Sequence, residues 1–364
     1  MTAAHFPRRR LIAGWDEHPL AAGCRPIGGP AINQGRPSGW APVDDARALD
    51  ALLQAHGEGA TVFDTADIYG LGHSQRLLGR MLAQVPRDSV RITCTIGAFK
   101  GTGPNAYSAL TLNGQVEQSL ENLGVKSIDV LTLNHTDFGP RDRYLEDALE
   151  TLQALREMES VKGIGLRGPS HLRAGCTAGG DRHRQSAARF AYLFQRIGPD
   201  VIAAPFNALT PPPAPESADG DGDEDIFSFA RRHRVATMIY KPLAQGLLTG
   251  AYTAQTVFGP EDVRSALPAP VLEAVHRGLR PLRERFGPSP SELARVALHY
   301  CLRVCPDSLV VTGFSSPQQV AANFGGLSSA LSEEDFDVAR TAYAAVRAEL
   351  EALGRTPSHQ AAVT

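Results

Sequence analysis

Short apolar runs alternate along this chain with longer stretches in which apolar positions recur every three or four residues. The short runs are Leu20 to Gly23, Ala60 to Phe63, Val90 to Thr95, Ile128 to Leu133, Val161 to Leu166, Val201 to Ala204, Val235 to Tyr240 and Ser308 to Val311. Their length and β-branched content predict buried strands. The longer stretches predict helices near Val43 to His56, Ser74 to Gln84, Thr111 to Leu123, Tyr144 to Ser160, Ala187 to Ile197 and Ile226 to Arg234. Further helices are expected near Pro270 to Phe286, Ser291 to Val304 and Pro317 to Phe324, with a last one over about Ser332 to Leu353. Gly124 stands where the third helix should stop.

Regular strand-helix alternation argues for a parallel sheet covered by helices. Eight such units favour closure into a (β/α)8 TIM barrel over an open doubly wound sheet. Arg10 to Gly14 and Pro19 to Gly23 are expected to form a small hairpin before the barrel, and the last helix follows it. Two segments break the rhythm. Residues 173–184 are rich in Gly, Arg and His, and residues 210–225 read TPPPAPESADGDGDED. Both are expected to be mobile insertions on loops that follow strands, the face where barrel active sites are built. Strand-helix pairs continue on either side, so residues 1–364 are expected to form a single barrel domain, although the length alone allows two or three average domains.

Composition narrows the function. With 43% hydrophobic and 21% charged residues and a net charge of −3, the chain has ordinary globular composition and no basic footprint for nucleic acid. No apolar run approaches the roughly 18 to 20 residues that span a bilayer. Arg8 to Arg10 are followed by Trp15-Asp16-Glu17-His18 rather than by the apolar stretch of a signal peptide, so a cytoplasmic location is expected. The five cysteines are odd in number and scattered, which implies no disulfide framework. Cys301 and Cys305 stand at helical spacing without a nearby Cys/His pair, so no metal site is expected. Of 36 basic residues only Lys100, Lys126, Lys162 and Lys241 are lysines, which leaves any lysine-based mechanism four candidates.

The most informative stretch is Phe63-Asp64-Thr65-Ala66-Asp67-Ile68-Tyr69-Gly70-Leu71-Gly72-His73-Ser74-Gln75-Arg76-Leu77-Leu78-Gly79. It sets a carboxylate at a strand end and a tyrosine five residues later, on the catalytic face of a barrel. In this stretch the chain resembles the aldo-keto reductase family, whose pattern is F-D-T-A-x-x-Y-G-x-G-x-S-E-x-x-L-G; Gln75 replaces the usual acid. Further similarity runs in order through Pro19 to Gly29, Ile164-Gly165, Pro205-Phe206-Asn207, Tyr240 to Gly250, and Val311 to Val320 with Asn323.

The resemblance implies hydride transfer between a nicotinamide cofactor, NADP or NAD, and a small-molecule carbonyl or alcohol substrate. It also implies four catalytic side chains. A tyrosine exchanges a proton with the carbonyl oxygen, a lysine ammonium lowers its pKa, an aspartate pairs with that lysine, and a histidine orients the carbonyl. Tyr69 and Asp64 match the first and third. Thr95 stands where the lysine belongs, and Asn134 stands at the histidine position with His135 one residue late. Asn134 is therefore a candidate carbonyl-orienting amide. His135 is a candidate relay that strand alternation turns away if Asn134 faces inward.

For the cofactor, the resemblance points to Tyr240, Lys241, Leu243 and Gly246 after the seventh strand and to Gly313, Ser315, Gln319 and Asn323 after the eighth. Tyr240 would stack on the nicotinamide and Lys241 would face the pyrophosphate. Arg167-Gly168 replaces the Ser-Asn that normally holds the carboxamide, and Ala203 replaces a glutamine with the same task. Ser315 or Ser316 stands where a basic residue often grips the 2′-phosphate. Arg167 adds a cation near the site. Loss of a catalytic acid typically costs on the order of 10² to 10⁴ in rate. The expectation is an oxidoreductase with an altered proton relay. Two other readings use the same residues: a cofactor-free dehydratase, cyclase or isomerase working through Tyr69 and Asp64, and a non-catalytic binding member. Substrate identity and oligomeric state are not legible in the sequence.

Overall fold

The computed structural model describes residues 6–99, 103–169, 180–213 and 224–354. The chain opens with a hairpin of β1 (Arg9–Ile12) and β2 (Trp15–Glu17). Its turn lies at Gly14, whose φ of +83° lets the chain reverse at once. The second strand of this hairpin is thus Trp15–Glu17 and not the expected Pro19 to Gly23, which frees β3 (Leu20–Gly23) to be the first barrel strand.

The barrel continues with β6 (Val62–Ala66), β7 (Arg91–Ile96), β8 (Ile128–Leu133), β9 (Val161–Arg167), β10 (Val201–Pro205), β11 (Ala236–Tyr240) and β12 (Ser308–Gly313). All pairings are parallel, and β12 closes on β3. Two short strands, β4 (Ile32–Asn33) and β5 (Arg36–Pro37), form an unforeseen ribbon in the loop after β3. Its turn is Gln34-Gly35, both residues at positive φ, as tight hairpins require.

Helices alternate with the strands: α1 (Asp45–Gly57), α2 (His73–Leu82), α3 (Ala109–Leu123), α4 (Leu145–Glu157), α5 (Gly180–Ile197) and α6 (Ile226–Arg232). Between β11 and β12 lie α7 (Ala269–Gly278), α8 (Arg280–Phe286) and α9 (Pro290–Val304). The expected Pro270 to Phe286 helix is split because Pro281 lacks the N–H that a continuous helix would use, and it sits in the first turn of α8. α10 (Pro317–Val320) follows β12, and α11 (Glu333–Ala352) ends the fold behind a capping box of Ser332 and Asp335. Of the two expected insertions, residues 173–179 and 214–223 lie outside the described residues, as does Lys100.

Alternation along the strands fills the barrel and then builds the site. Ala21, Val62, Val130, Val201, Ala236, Met238, Leu309 and Val311 form an interior cluster, and the hairpin's Leu11 joins it from the N-terminal end. Two residues further along the same inward rows stand Asp64, Thr132, Ala203 and Tyr240, with Thr95 and Arg167 beside them. Glycine at 165 lets β8 and β9 approach closely, because a Cβ would lie 2.3 Å from Thr132 Oγ1. No helix among the described residues is long and apolar enough to cross a membrane.

Candidate active site

At the C-terminal mouth of the barrel a small pocket of about 40 Å³ opens into a larger cleft of about 380 Å³. Asp64, Tyr69, Thr95, Asn134, Arg167 and Tyr240 line the inner pocket. Lys241, Leu243, Gly246, Gly313, Ser315, Gln319 and Asn323 line the outer cleft. The residues expected to be catalytic and those expected to hold cofactor are therefore contiguous, with one exception. His135 packs its ring 4.6 Å from the Tyr107 ring and accepts the Asp137 N–H on Nδ1 at 3.1 Å. It is not part of the pocket wall. Residue 134 continues the inward row of β8, so residue 135 turns outward.

Tyr69 is fixed by backbone contacts. Its carbonyl accepts the Ser74 N–H at 3.2 Å, and Ser74 Oγ in turn donates to the Cys24 carbonyl at 2.9 Å. The next residue, Gly70, has φ +60°, and a Cβ there would stand 2.0 Å from the Gly28 oxygen. The loops after β3 and β6 are thus clamped together behind the tyrosine. Gln75 makes a different use of a position that holds an acid in the resemblance. Buried at 1% exposure, its amide donates to Ser119 Oγ at 2.9 Å and Cys94 Sγ at 3.4 Å and accepts from Asn122 at 2.8 Å. A carboxylate there would be unable to donate.

The electrostatics follow from burial. Asp64 Oδ1 accepts the Thr93 hydroxyl at 2.7 Å. Burial pushes the Asp64 pKa up to about 6, opposed by that hydrogen bond and by Arg167. The Tyr69 phenol is pushed up by burial and by Asp64, against the pull of Arg25 and Arg167. Lys241 is driven down to about 7, by burial first and then by Arg25 and Arg167. Its backbone sits at φ +61°, and Ala244, Gln245 and Gly246 of the same loop are also at positive φ. Uncommon backbone conformations of this kind cluster at ligand clamps and switch regions in general.

Arg167 departs from the expected arrangement. Its guanidinium lies 4.3 Å over the Tyr240 ring, on a face expected for nicotinamide, and Nη1 donates to Asn134 Oδ1. With that oxygen engaged, the NH2 is the half of the Asn134 amide left to donate. At the far end, Gln319 Oε1 accepts from the Ser315 N–H at 2.7 Å, while Asn323 Nδ2 donates to Thr312 Oγ1 at 3.3 Å and tethers the end of β12.

The sequence reading missed Arg25 and Arg264. Arg25 stands two residues after β3, its Cζ lies 5.6 Å from the Tyr69 ring centroid, and it lines both pocket and cleft. A charged residue two positions beyond a strand's C-terminal end is the available signal. Arg264 forms a bidentate pair with Asp262, with contacts of 2.8 and 2.5 Å, and covers Trp40 at 4.1 Å. No group of His, Cys, Asp and Glu among the described residues is arranged to hold a metal ion.

Comparison with known proteins adds to this geometry. The model of the Aldo/keto reductase family matches residues 33–343. The NADH-specific methylglyoxal reductase of Escherichia coli is 24% identical over 330 residues, covering 86% of this chain and 90% of that protein. L-Galactose dehydrogenase of Arabidopsis thaliana is 25% identical over 293 residues, covering 78% of this chain and 79% of its own. Among solved structures, a glycerol dehydrogenase of Gluconobacter oxydans superposes with a TM-score of 0.65 at 22% identity, covering 95% of both chains.

Proposed function

The chain belongs to the aldo/keto reductase family, and we propose that this oxidoreductase uses NADP(H) with Tyr69 as proton donor in a relay that lacks the usual lysine. The observation that carries the reading is the convergence of Asp64, Tyr69, Asn134 and Arg167 on one pocket at the barrel mouth, continuous with the outer cleft. The cleft suits a dinucleotide: its volume lies in the range of about 300 to 1,000 Å³ typical of ligand sites, and its donors are cationic and polar. Lys241, Gln245 and Gly246, all at positive φ, shape the cleft wall that would hold it. When bound, the cofactor supplies or accepts the hydride at the carbonyl carbon.

The chain's own residues do the rest. Asn134 offers its NH2 to the carbonyl oxygen, and Tyr69 passes its phenolic proton to the same oxygen. Arg25 and Arg167 stabilise the phenolate left behind, a task given to a lysine ammonium in the pattern this chain resembles. Thr95, at the lysine position, contributes only a neutral wall. Asp64 opposes the phenolate when ionised and ceases to do so once protonated, so reduction accelerates as pH falls through about 6. Lys241 faces the cofactor phosphates across its left-handed loop, beside Leu243 and Gly246. Gly313, Ser315, Gln319 and Asn323 form the adenosine end. Arg47, whose Nη2 donates to Gln318 Oε1 at 3.2 Å, supplies beside that end the cation that Ser315 and Ser316 do not, which supports the phosphorylated cofactor.

Fluorescence titration with NADPH and NADH tests the reading. Saturable binding with NADPH the tighter ligand is expected. Binding of neither by folded protein overturns the proposal, and a preference for NADH overturns the choice of cofactor.

A further inference from the structure

The inner pocket carries an unbalanced charge. Arg25 enters it from the loop after β3 and Arg167 from the end of β9. Neither guanidinium has a carboxylate within ion-pair distance among the described residues. Arg25 donates through Nη2 to the Ser38 carbonyl at 3.3 Å and leaves a buried Nε without a partner. Arg167 donates to Asn134 and rests on Tyr240. Arg264, a short way along the cleft, shows what a compensated arginine looks like here, with Asp262 holding both sides of its fork. Among the described residues Asp64 is the one acid on the pocket wall, and its Oδ1 is engaged by Thr93.

Guanidinium groups stay protonated under any ordinary condition, so this surplus cannot be removed by titration. Desolvated cations are retained where an anion completes them, and the planar fork of arginine matches a carboxylate. The inner pocket is small, about 40 Å³, which favours a compact anion. Ile68, Ala98 and Met238 leave apolar wall for a short alkyl chain.

We infer that the substrate carries a carboxylate next to its reacting carbonyl, as in a short 2-oxo acid or the matching 2-hydroxy acid, with Arg25 and Arg167 holding the carboxylate while Tyr69 meets the carbonyl oxygen. This rests on the oxidoreductase reading above. In the reducing direction one hydride from the reduced nicotinamide forms the new C–H bond. The carbonyl π pair moves to oxygen, Tyr69 supplies the proton, and solvent returns a proton to the phenolate. The products are the 2-hydroxy acid and the oxidised nicotinamide.

The same cations also line the cleft, so cofactor phosphate is the competing source of negative charge, and the test separates the two. Calorimetry with 2-oxobutanoate and with its methyl ester is run on the protein, with and without saturating oxidised cofactor, alongside NADPH titration. Wild type, R25Q, R167Q and the charge-retaining R25K are compared, with circular dichroism to confirm folding. Wild type is expected to bind the acid at least about 30-fold more tightly than the ester, the scale of a desolvated charge contact. R25Q and R167Q lose that preference, R25K keeps part of it, and NADPH affinity changes less than about threefold, as expected where no charge contact is lost. Equal binding of acid and ester by wild type overturns the inference. So does a loss of NADPH affinity in R25Q as large as the loss of acid binding. Arginine-dependent acid binding without any nicotinamide-dependent turnover would leave the anion site standing and remove the oxidoreductase reading. Reduction of uncharged ketones with no preference for the acid would do the reverse.

Discussion

Replacing Asp64 with asparagine should stabilise the protein at neutral to alkaline pH. The carboxyl is moved from 3.8 to about 6, chiefly by burial. A carboxyl whose folded-state pKa lies above its unfolded value holds its proton more tightly when folded, so its ionisation opposes folding. The penalty is absent below pH 3.8, grows as pH rises through the interval, and is complete above about 6. A shift of this size corresponds to about 3 kcal/mol. Asparagine keeps the shape and still accepts the Thr93 hydroxyl, but carries no charge. In urea titrations Asp64→Asn is expected to gain up to about 3 kcal/mol at alkaline pH and almost nothing near the acid end of the interval. The same variant should lose the acceleration of carbonyl reduction with falling pH. A variant less stable than wild type at alkaline pH would refute the reasoning. It would mean that Arg25 and Arg167 hold Asp64 as a paired carboxylate.

Four further outcomes are expected. Lys241→Gln should weaken NADPH binding by about tenfold, the scale of one charge-assisted contact. In wild type, affinity should fall as pH rises through about 7, because the protonated lysine is the anion-binding form; fluorescence titration across pH reads both. Gly165→Ala places a methyl 2.3 Å from Thr132 Oγ1 and should cost about 1–3 kcal/mol in chemical denaturation, with activity falling because β8 and β9 are pushed apart beneath Asn134 and Arg167. Thr95→Lys should set an ammonium beside Asp64 and Tyr69, lower the phenol pKa and raise the rate at neutral pH; no gain in kcat would show that the two arginines already serve that purpose.

Much of this architecture was legible because a parallel barrel writes itself as eight apolar runs with helical stretches between them. The inward row of Val130, Thr132 and Asn134 follows from strand alternation alone, and the same alternation places His135 outside. The hairpin's second strand is hard to read in the sequence, because apolar Leu20 to Gly23 outweighs Trp15–Glu17, whose pairing depends on one glycine turn. Asp64 and Tyr69 stood out because they lie in a long patterned stretch. Arg25 did not, since a lone arginine beside a glycine-containing loop looks like any solvated charge until the loop after β6 is seen packed against it. The contact of Arg167 with Tyr240 depends on how two side chains share one pocket, which no linear pattern encodes. The scarcity of lysine draws attention to the missing ammonium. The arginines proposed to take that task come from distant parts of the chain.

Hydride transfer itself is the central claim, and isotope tracing measures it most directly. Turnover of a 2-oxo acid with NADPH deuterated at the transferring position should place one deuterium on the carbinol carbon of the product, and Tyr69→Phe should cut the rate by about 10² to 10⁴. Turnover that leaves the product unlabelled would contradict the account and assign this barrel to chemistry without a hydride.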